Sequence, residues 1–351
     1  TNPAAPMPEA SWMATHGVKR GAFPARALLA RVQGGQPSGS HPRVCGSQEA
    51  CNQQFSWGGY LPSRLAISNF AGANPRAPSL ADATWIVPGA PGALQLDRAQ
   101  DVAGRVWRLS QDPMGCREVQ RALELCISDA ERETLAAEVS GHVWEATRCP
   151  HANHVLQKMI ATLRPKALQF IIDEVMKGGI AQAARHKYGC RIVQRLVENC
   201  PDSQNHALSE SLLSEAHSLC RHAFGNYVMQ HLLQHGAADD KGRLMGMLQQ
   251  DIRGLGSDCY GCAVVSAALA YGPQELRPLL ADALCQEPGL LAYMACSRHG
   301  HVAVRYAMQA LGPLELKDAW SKLAAEAPAL VQSRYGRFVL AQLQLTSREL
   351  Q

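Results

Sequence analysis

The sequence lacks the features of a membrane protein and of a secreted disulfide scaffold. No apolar run in its 351 residues approaches the roughly 18 residues that a membrane-spanning helix needs. Residues 1–31 lack the charged-then-apolar order of a signal peptide. The 12 cysteines are spread along the chain instead of forming a dense framework, so we expect reduced thiols. These absences predict a soluble, cytoplasmic protein.

Motifs of metal binding and catalysis are also scarce. Cys259 and Cys262 form a Cys-x-x-Cys pair, and Cys149 lies near His151 and His154. Neither group has the second ligand pair that a structural zinc site needs. No Ser/His/Asp or paired-carboxylate arrangement stands out either. We therefore predict no metal, no cofactor and no enzymatic activity.

A strong charge of one sign is absent too. The net charge is only +4, from 34 Lys and Arg against 30 Asp and Glu. Residues 1–95 hold 7 of these basic and 3 of these acidic residues, which leaves 27 of each for residues 96–351. Any basic surface in the later part must therefore be balanced by acidic residues elsewhere, and composition alone supports a polyanionic partner only weakly.

The first 95 residues differ in amino-acid composition from the rest of the chain. They are rich in Pro, Gly, Ala and Ser, as in the stretch 34–40. Such a segment cannot bury enough apolar surface to offset the entropy of ordering it. We expect residues 1–95 to be a low-complexity, mostly disordered segment and residues 96–351 to form the ordered domain.

A repeat runs through the later part of the sequence. Seven segments match one another, with Tyr, Phe, His or Met and then Gly followed by an apolar-rich stretch; the second copy has Ala152 in place of the Gly. We number each copy from the residue after this Gly or Ala. Position one then falls at residues 116, 153, 190, 226, 262, 301 and 337, with steps of 36 to 39 residues. Seven copies at a nearly constant step indicate a repeat protein.

Each copy predicts three helices and almost no strand. In the third copy we expect helices over 180–185, 190–199 and 204–214, with Pro201 ending the middle one. No single unit can bury its apolar face, so neighbouring units must stack into one continuous core.

Positions one, two and five of the middle helix predict a shared surface. In the third copy Val193 and Leu196 point inward, whereas Cys190, Arg191 and Gln194 occupy the other face. Two polar side chains one turn apart can contact a base edge, and a flat side chain beside them can stack on a base. This geometry suits one base per repeat.

The triplets at these positions resemble the base-reading triplets of the Pumilio (PUF) RNA-binding repeat family. Four copies match: Cys116, Arg117, Gln120; Asn153, His154, Gln157; Cys190, Arg191, Gln194; and Asn226, Tyr227, Gln230. The resemblance implies an all-α, right-handed α-solenoid of about seven three-helix repeats. It also implies that Cys with Gln selects adenine and Asn with Gln selects uracil. Because the family's RNA runs antiparallel to the protein, the four copies imply 5′-U-A-U-A-3′, or U-A-N-A if the second copy holds its base loosely.

The last three copies depart from this pattern. Cys262, Ala263 and Ser266 in the fifth copy lack a stacking side chain and a Gln or Glu. In the sixth copy His301 and Arg305 are candidates to contact a base or a phosphate, and in the seventh Phe338 is a candidate stacking residue. Such erosion indicates altered specificity or a surface given to a protein partner.

Two classes of function follow from this pattern. The first is sequence-selective binding of single-stranded RNA, with regulation of mRNA stability or translation as the family resemblance implies. The resemblance also implies mRNA 3′ untranslated regions as targets, a monomer, and protein effectors on the convex face. The second class is an α-solenoid scaffold for proteins of the armadillo or HEAT kind. A nucleolar Pumilio-like RNA-processing factor is a further alternative.

Overall fold

A computed structural model describes residues 101–349, with side chains up to residue 342. The predicted low-complexity segment 1–95 lies outside these residues. Within the described range the regular structure is entirely helical, with 20 α-helices, one short 3-10 helix and no strand. No helix in this range is long and apolar enough to cross a membrane. The all-helical prediction is confirmed for this part of the chain.

The helices follow one another in groups of three. The first three groups are α1 (Val106–Ser110), α2 (Gly115–Leu125), α3 (Asp129–Ala137); α4 (Val143–Ala146), α5 (Ala152–Thr162), α6 (Gln169–Gly178); and α7 (Ile180–Arg185), α8 (Gly189–Asn199), α9 (Asp202–Ser214). The next three are α10 (Ala216–Cys220), α11 (Gly225–His235), α12 (Ala238–Gln250); α13 (Ile252–Ser257), α14 (Gly261–Tyr271), α15 (Arg277–Gln286); and α16 (Leu290–Ala295), α17 (Gly300–Ala310), α18 (Pro313–Ala325). The seventh group has α19 (Ala327–Gln332) and α20 (Arg334–Glu349).

The three helices predicted for the third repeat are confirmed. The structure has α7 at the predicted bounds, starts α8 one residue earlier and starts α9 two residues earlier. Pro201 is the residue before α9, in an extended conformation with ψ 157°. Because the ring of proline fixes φ and removes an N–H, Pro201 serves better at the entrance of α9 than inside α8.

The middle helices stack side by side along the chain. α8 packs against α5 on one side and α11 on the other, and α14 packs between α11 and α17. In α8, Ile192, Val193 and Leu196 are fully buried. Buried apolar residues of successive repeats form a single cluster from Val102 to Val339. The repeats therefore share one continuous core, as a solenoid requires.

A close backbone approach fixes where each middle helix begins. A Cβ placed on Gly189 or Gly261 would lie 2.5 Å from the carbonyl oxygen of Ala183 or Leu255, in the preceding short helix. This separation is too short for any side chain, so glycine lets the two helices touch. The Gly that marks the sequence repeat thus sets the position of the residues that follow it.

A second repeated position caps the same helix start. Four residues before position one, a side chain accepts hydrogen bonds from backbone N–H groups at the entrance of the middle helix. Asp112 accepts from Met114 and Gly115 at 2.8 and 2.7 Å, and His222 Nδ1 accepts from Phe224 and Gly225 at 3.2 Å. The full set is Asp112, Cys149, His186, His222, Asp258, Ser297 and Ser333. These side chains satisfy N–H groups that a helix start leaves unpaired.

Candidate nucleic-acid interface

Position two of the first four repeats is accessible to solvent. Arg117 and His154 are exposed, and Arg191 and Tyr227 are half-buried. The middle helices that carry them are neighbours, so the four side chains project from four consecutive helices of one stack. Desolvation and the neighbouring His151 lower the pKa of His154, which makes its ring neutral at neutral pH. All four groups have a flat face that can stack on a base.

Position one is buried in every repeat from the first to the fifth. Asn153 Nδ2 donates to the carbonyl oxygens of Cys149 and Pro150 at 2.8 and 2.9 Å. Asn226 Nδ2 makes the equivalent bonds to His222 and Ala223, at 2.8 and 3.0 Å. In the second and fourth repeats, position one therefore holds the turn before the middle helix and points its amide oxygen towards position five.

The cysteines at position one make a weaker version of the same contact. Cys116, Cys190 and Cys262 each place Sγ 3.4 to 3.5 Å from the carbonyl oxygen three residues earlier. Burial raises the pKa of Cys116 and raises that of Cys262 to about 12, so these thiols stay protonated and can donate. A thiol in place of an amide supplies no strong acceptor for position five.

Position five differs accordingly from repeat to repeat. Gln157 Nε2 donates to Asn153 Oδ1 at 3.0 Å, and Gln230 Nε2 donates to Asn226 Oδ1 at 2.9 Å. Gln120 Nε2 instead donates to the Cys116 carbonyl oxygen at 3.0 Å. Gln194 Nε2 is buried and has no hydrogen-bond partner within the described part of the chain. The four predicted amides are therefore in three different bonding states in the free protein.

Two of the three α8 residues that the spacing predicts to share a surface are buried. Arg191 is partly accessible, but Cys190 and Gln194 are only 2% and 4% exposed. The reason is lateral packing, because α5 and α11 flank α8 and cover the sides of the helix as well as its inner face. A helix with one neighbour exposes most of its outer face, whereas a helix with neighbours on both sides exposes a narrower strip.

In the last three repeats the candidate residues meet in one place. The His301 ring stacks on Tyr335 with centroids 4.8 Å apart and meets Phe338 edge-on at 5.9 Å. A cavity of about 240 Å³ between α17 and α20 is lined by His301, Arg305 and Phe338, together with Trp320 of α18. Arg305 also lies over the Tyr306 ring, at 5.2 Å. The sixth and seventh repeats therefore bring these three predicted residues together, although His301 already has an aromatic partner.

The fifth repeat presents no polar reading triplet. Cys262 is buried, and Ala263 and Ser266 are half-buried. Its backbone nevertheless keeps the glycine contact and the Asp258 cap, which accepts from Tyr260 and Gly261 at 2.8 and 2.7 Å. The helix start is thus preserved where the side chains for base contact are missing.

Sequence reasoning missed the capping residues. Their signal is present, because residues 112, 149, 186, 222, 258, 297 and 333 recur at the same steps as position one. Residue types as different as Asp, Cys, His and Ser hide the pattern, since they share only an acceptor atom.

Within residues 101–349, no group of three His, Cys, Asp or Glu side chains is placed to hold a metal ion.

Comparison with a family model gives four matched segments. The model of the Pumilio-family RNA binding repeat matches residues 105–140, 147–176, 180–213 and 216–248. These segments correspond to the first four structural repeats. Residues 249–351, which hold the eroded triplets, lie outside the matches.

Two similar proteins are named for a Pumilio domain or for mRNA binding. A Pumilio domain-containing protein of Schizosaccharomyces pombe is 22% identical over 245 residues, which are 70% of this chain and 36% of that protein. Fem-3 mRNA-binding factor 2 of Caenorhabditis elegans is 24% identical over 201 residues, 52% of this chain and 32% of that one. The chain thus spans about a third of the length of these relatives.

Solved structures show the same fold. PUF-8, determined in complex with PBE-RNA, superposes with a TM-score of 0.64 at 22% identity, covering 70% of this chain and 72% of that one. The Puf3 RNA binding domain, bound to a recognition sequence from the Cox17 RNA 3′ UTR, gives 0.62 at 22% identity and covers 70% and 75%. At this identity the likeness establishes a right-handed solenoid of helical repeats.

Proposed function

Because the chain belongs to the Pumilio family through the repeats of residues 105–248, we propose that it binds single-stranded RNA and reads one base with each of its first four repeats. The observation that carries this proposal is the set of accessible position-two side chains on four consecutive middle helices. Beside each lies a buried position-one residue and a glutamine at position five. Relatives and structural neighbours named for RNA binding support the same function.

The proposed RNA element is 5′-U-A-U-A-3′, or U-A-N-A where the second repeat is permissive. Cys116 with Gln120 and Cys190 with Gln194 would each take adenine. Asn153 with Gln157 and Asn226 with Gln230 would each take uracil. Arg117, His154, Arg191 and Tyr227 would stack on the bases, which gives affinity with little sequence preference. His301, Arg305 and Phe338 would contact the 5′ flank of this element.

In the cell such binding would regulate the stability or translation of mRNAs that carry the element. A scaffold for proteins is the alternative from another class, and the last three repeats favour it more than the first four do. A solenoid used only for proteins does not explain four glutamines at position five with a flat side chain at position two.

The test is fluorescence anisotropy of the full chain with short labelled RNAs. RNAs that contain UAUA should bind more tightly than scrambled RNAs of the same composition, and binding should weaken at high salt because phosphate contacts are screened. Equal affinity for the two RNAs would overturn sequence-selective binding. No affinity for either RNA would favour the scaffold.

A further inference from the structure

The third repeat differs from its neighbours in the bonding of its position-five amide. Gln194 Nε2 is buried and has no hydrogen-bond partner among the residues that the structure describes, and the residue is only 4% exposed. The equivalent amides of Gln120, Gln157 and Gln230 all donate within their own helix, at 2.9 to 3.0 Å. Gln194 is thus the single member of this set whose donor has lost water without gaining a protein acceptor.

The cause lies one turn earlier in α8. In the second and fourth repeats, an asparagine Oδ1 accepts from the glutamine. In the third repeat, the residue at that place is Cys190, whose thiol is a weak acceptor and whose Sγ lies 3.5 Å from the Lys187 carbonyl oxygen.

An unpaired buried donor is costly, and any ligand that satisfies it recovers this cost on binding. An amide nitrogen carries two N–H donors, and Gln157 and Gln230 have each paired one of them in the free protein, so a base edge that meets either glutamine relieves a smaller desolvation cost. A base edge that meets Gln194 adds a hydrogen bond where none existed. The same chemical contact therefore contributes more affinity in the third repeat than in the other three.

We propose that the third repeat anchors the RNA, because an acceptor on its base gives Gln194 Nε2 a first hydrogen-bond partner, whereas the other three amides already have one within their own helix. This inference rests on the proposed RNA-binding function and deepens it, since it ranks the four base contacts. The base opposite the third repeat is the one on which binding depends most. The free protein, in turn, is less stable than it would be without this amide.

The experiment compares Gln194→Met with Gln230→Met, which occupies position five of the next repeat. Methionine keeps the length of the side chain and removes the amide. Gln194→Met should keep or raise the thermal midpoint of the free protein and weaken binding of UAUA RNA by about tenfold or more. Gln230→Met should lower the midpoint, because Asn226 Oδ1 loses its donor, and should weaken binding by about threefold or less.

RNAs with a single abasic nucleotide provide an independent arm. Removal of the base opposite the third repeat should weaken binding by the wild-type protein more than removal of any of the other three bases. Equal losses at all four positions would overturn the inference, as would a midpoint that falls equally in both variants. If the wild-type protein does not bind UAUA RNA, the proposed function fails and this inference with it. Selective binding with equal losses overturns the inference alone.

Discussion

Residues 105–248 and residues 252–342 have the same backbone construction but different surfaces. Both regions stack their middle helices in one row and cap them four residues before position one, and every repeat except the second has a glycine directly before position one. The first region keeps a flat side chain and a glutamine in each repeat. The fifth and sixth repeats have Ala263 and Val302 at position two, and Ser266 and Arg305 at position five. The residues that fix the helix starts thus differ from the residues proposed to contact RNA, so the two sets can change independently.

The largest expected effect tests whether the two regions share a scaffold. Gly189→Ala in the third repeat and Gly261→Ala in the fifth should each lower the free energy of unfolding by about 1 to 3 kcal/mol, because the added Cβ overlaps a carbonyl oxygen. Urea denaturation measures both. Ala152→Gly is the control, with an expected cost of about 1 kcal/mol or less. A neutral Gly261→Ala would show that the later repeats are built differently.

Removal of a position-two side chain should weaken RNA binding in the first region and leave it unchanged in the second. Arg191→Ala and Tyr227→Ala should each weaken RNA binding by about 1 to 3 kcal/mol, since each loses the flat face that supports a base. Val302→Ala, at position two of the sixth repeat, is the matched control and should leave binding unchanged. Anisotropy titrations with UAUA RNA measure the change in affinity for each variant. Unchanged binding by the double variant Arg191→Ala, Tyr227→Ala would overturn the assignment of this surface.

The identity of one base should change with one side chain. Cys190→Asn recreates the arrangement of Asn226 and Gln230, and should move preference opposite the third repeat from adenine towards uracil by roughly 1 to 3 kcal/mol. The new amide oxygen would also accept from Gln194, so the free protein should become more stable. Competition between RNAs that differ only at this base measures the switch. A variant that weakens all RNAs equally would contradict one base per repeat.

A stacking side chain added to the fifth repeat would test whether the RNA extends past the fourth repeat. Ala263→Tyr installs a flat side chain in the fifth repeat, beside the fourth repeat that carries Tyr227. If the RNA passes this repeat, binding should tighten by about 1 kcal/mol. Titration with an RNA extended at its 5′ end, against UAUA RNA without the extension, measures the effect. No gain with the extended RNA would place the end of the RNA path at the fourth repeat.

The smallest expected effect is a dependence of stability on pH in the first region. His186 and His222 accept backbone N–H groups through Nδ1, so they must be neutral there. Burial, then nearby basic residues, lower the pKa of both below the ordinary value of 6.5. The unfolded state therefore binds protons first, and the free energy of unfolding should fall as pH drops through about 6.5 towards the folded-state pKa.

Thermal melts of the free protein between pH 7.5 and pH 5 measure this loss. Replacement of both histidines by Asp, the cap in the first and fifth repeats, gives the comparison. The backbone bonds of Gly115 and Met114 lower the pKa of Asp112, so an Asp cap stays an acceptor in this range. Equal pH dependence in the variant and the wild-type protein would exclude the histidine caps as its origin.

Much of the fold could be read from residue spacing. The bounds predicted for the third repeat differ from the structure by two residues at most. Helix-forming patterns are local, and in every repeat except the second the Gly before position one is required by a backbone contact within the same repeat. The capping position escaped notice because Asp112, Cys149 and His186 have in common an acceptor atom and a place in the chain, not a side-chain class.

The sequence by itself determined the number and phase of the repeats, the helices within them and the four triplets that resemble Pumilio repeats. Tertiary structure alone decided which members of the triplets are accessible. Burial of Cys190 and Gln194 depends on α5 and α11, which lie on either side of α8. The stacking of His301 on Tyr335 likewise joins two repeats that are separate in sequence. The spacing of residues along one helix specifies the direction in which each side chain points. The exposure of that side chain and its hydrogen-bond partners depend on the residues that neighbouring repeats place beside it.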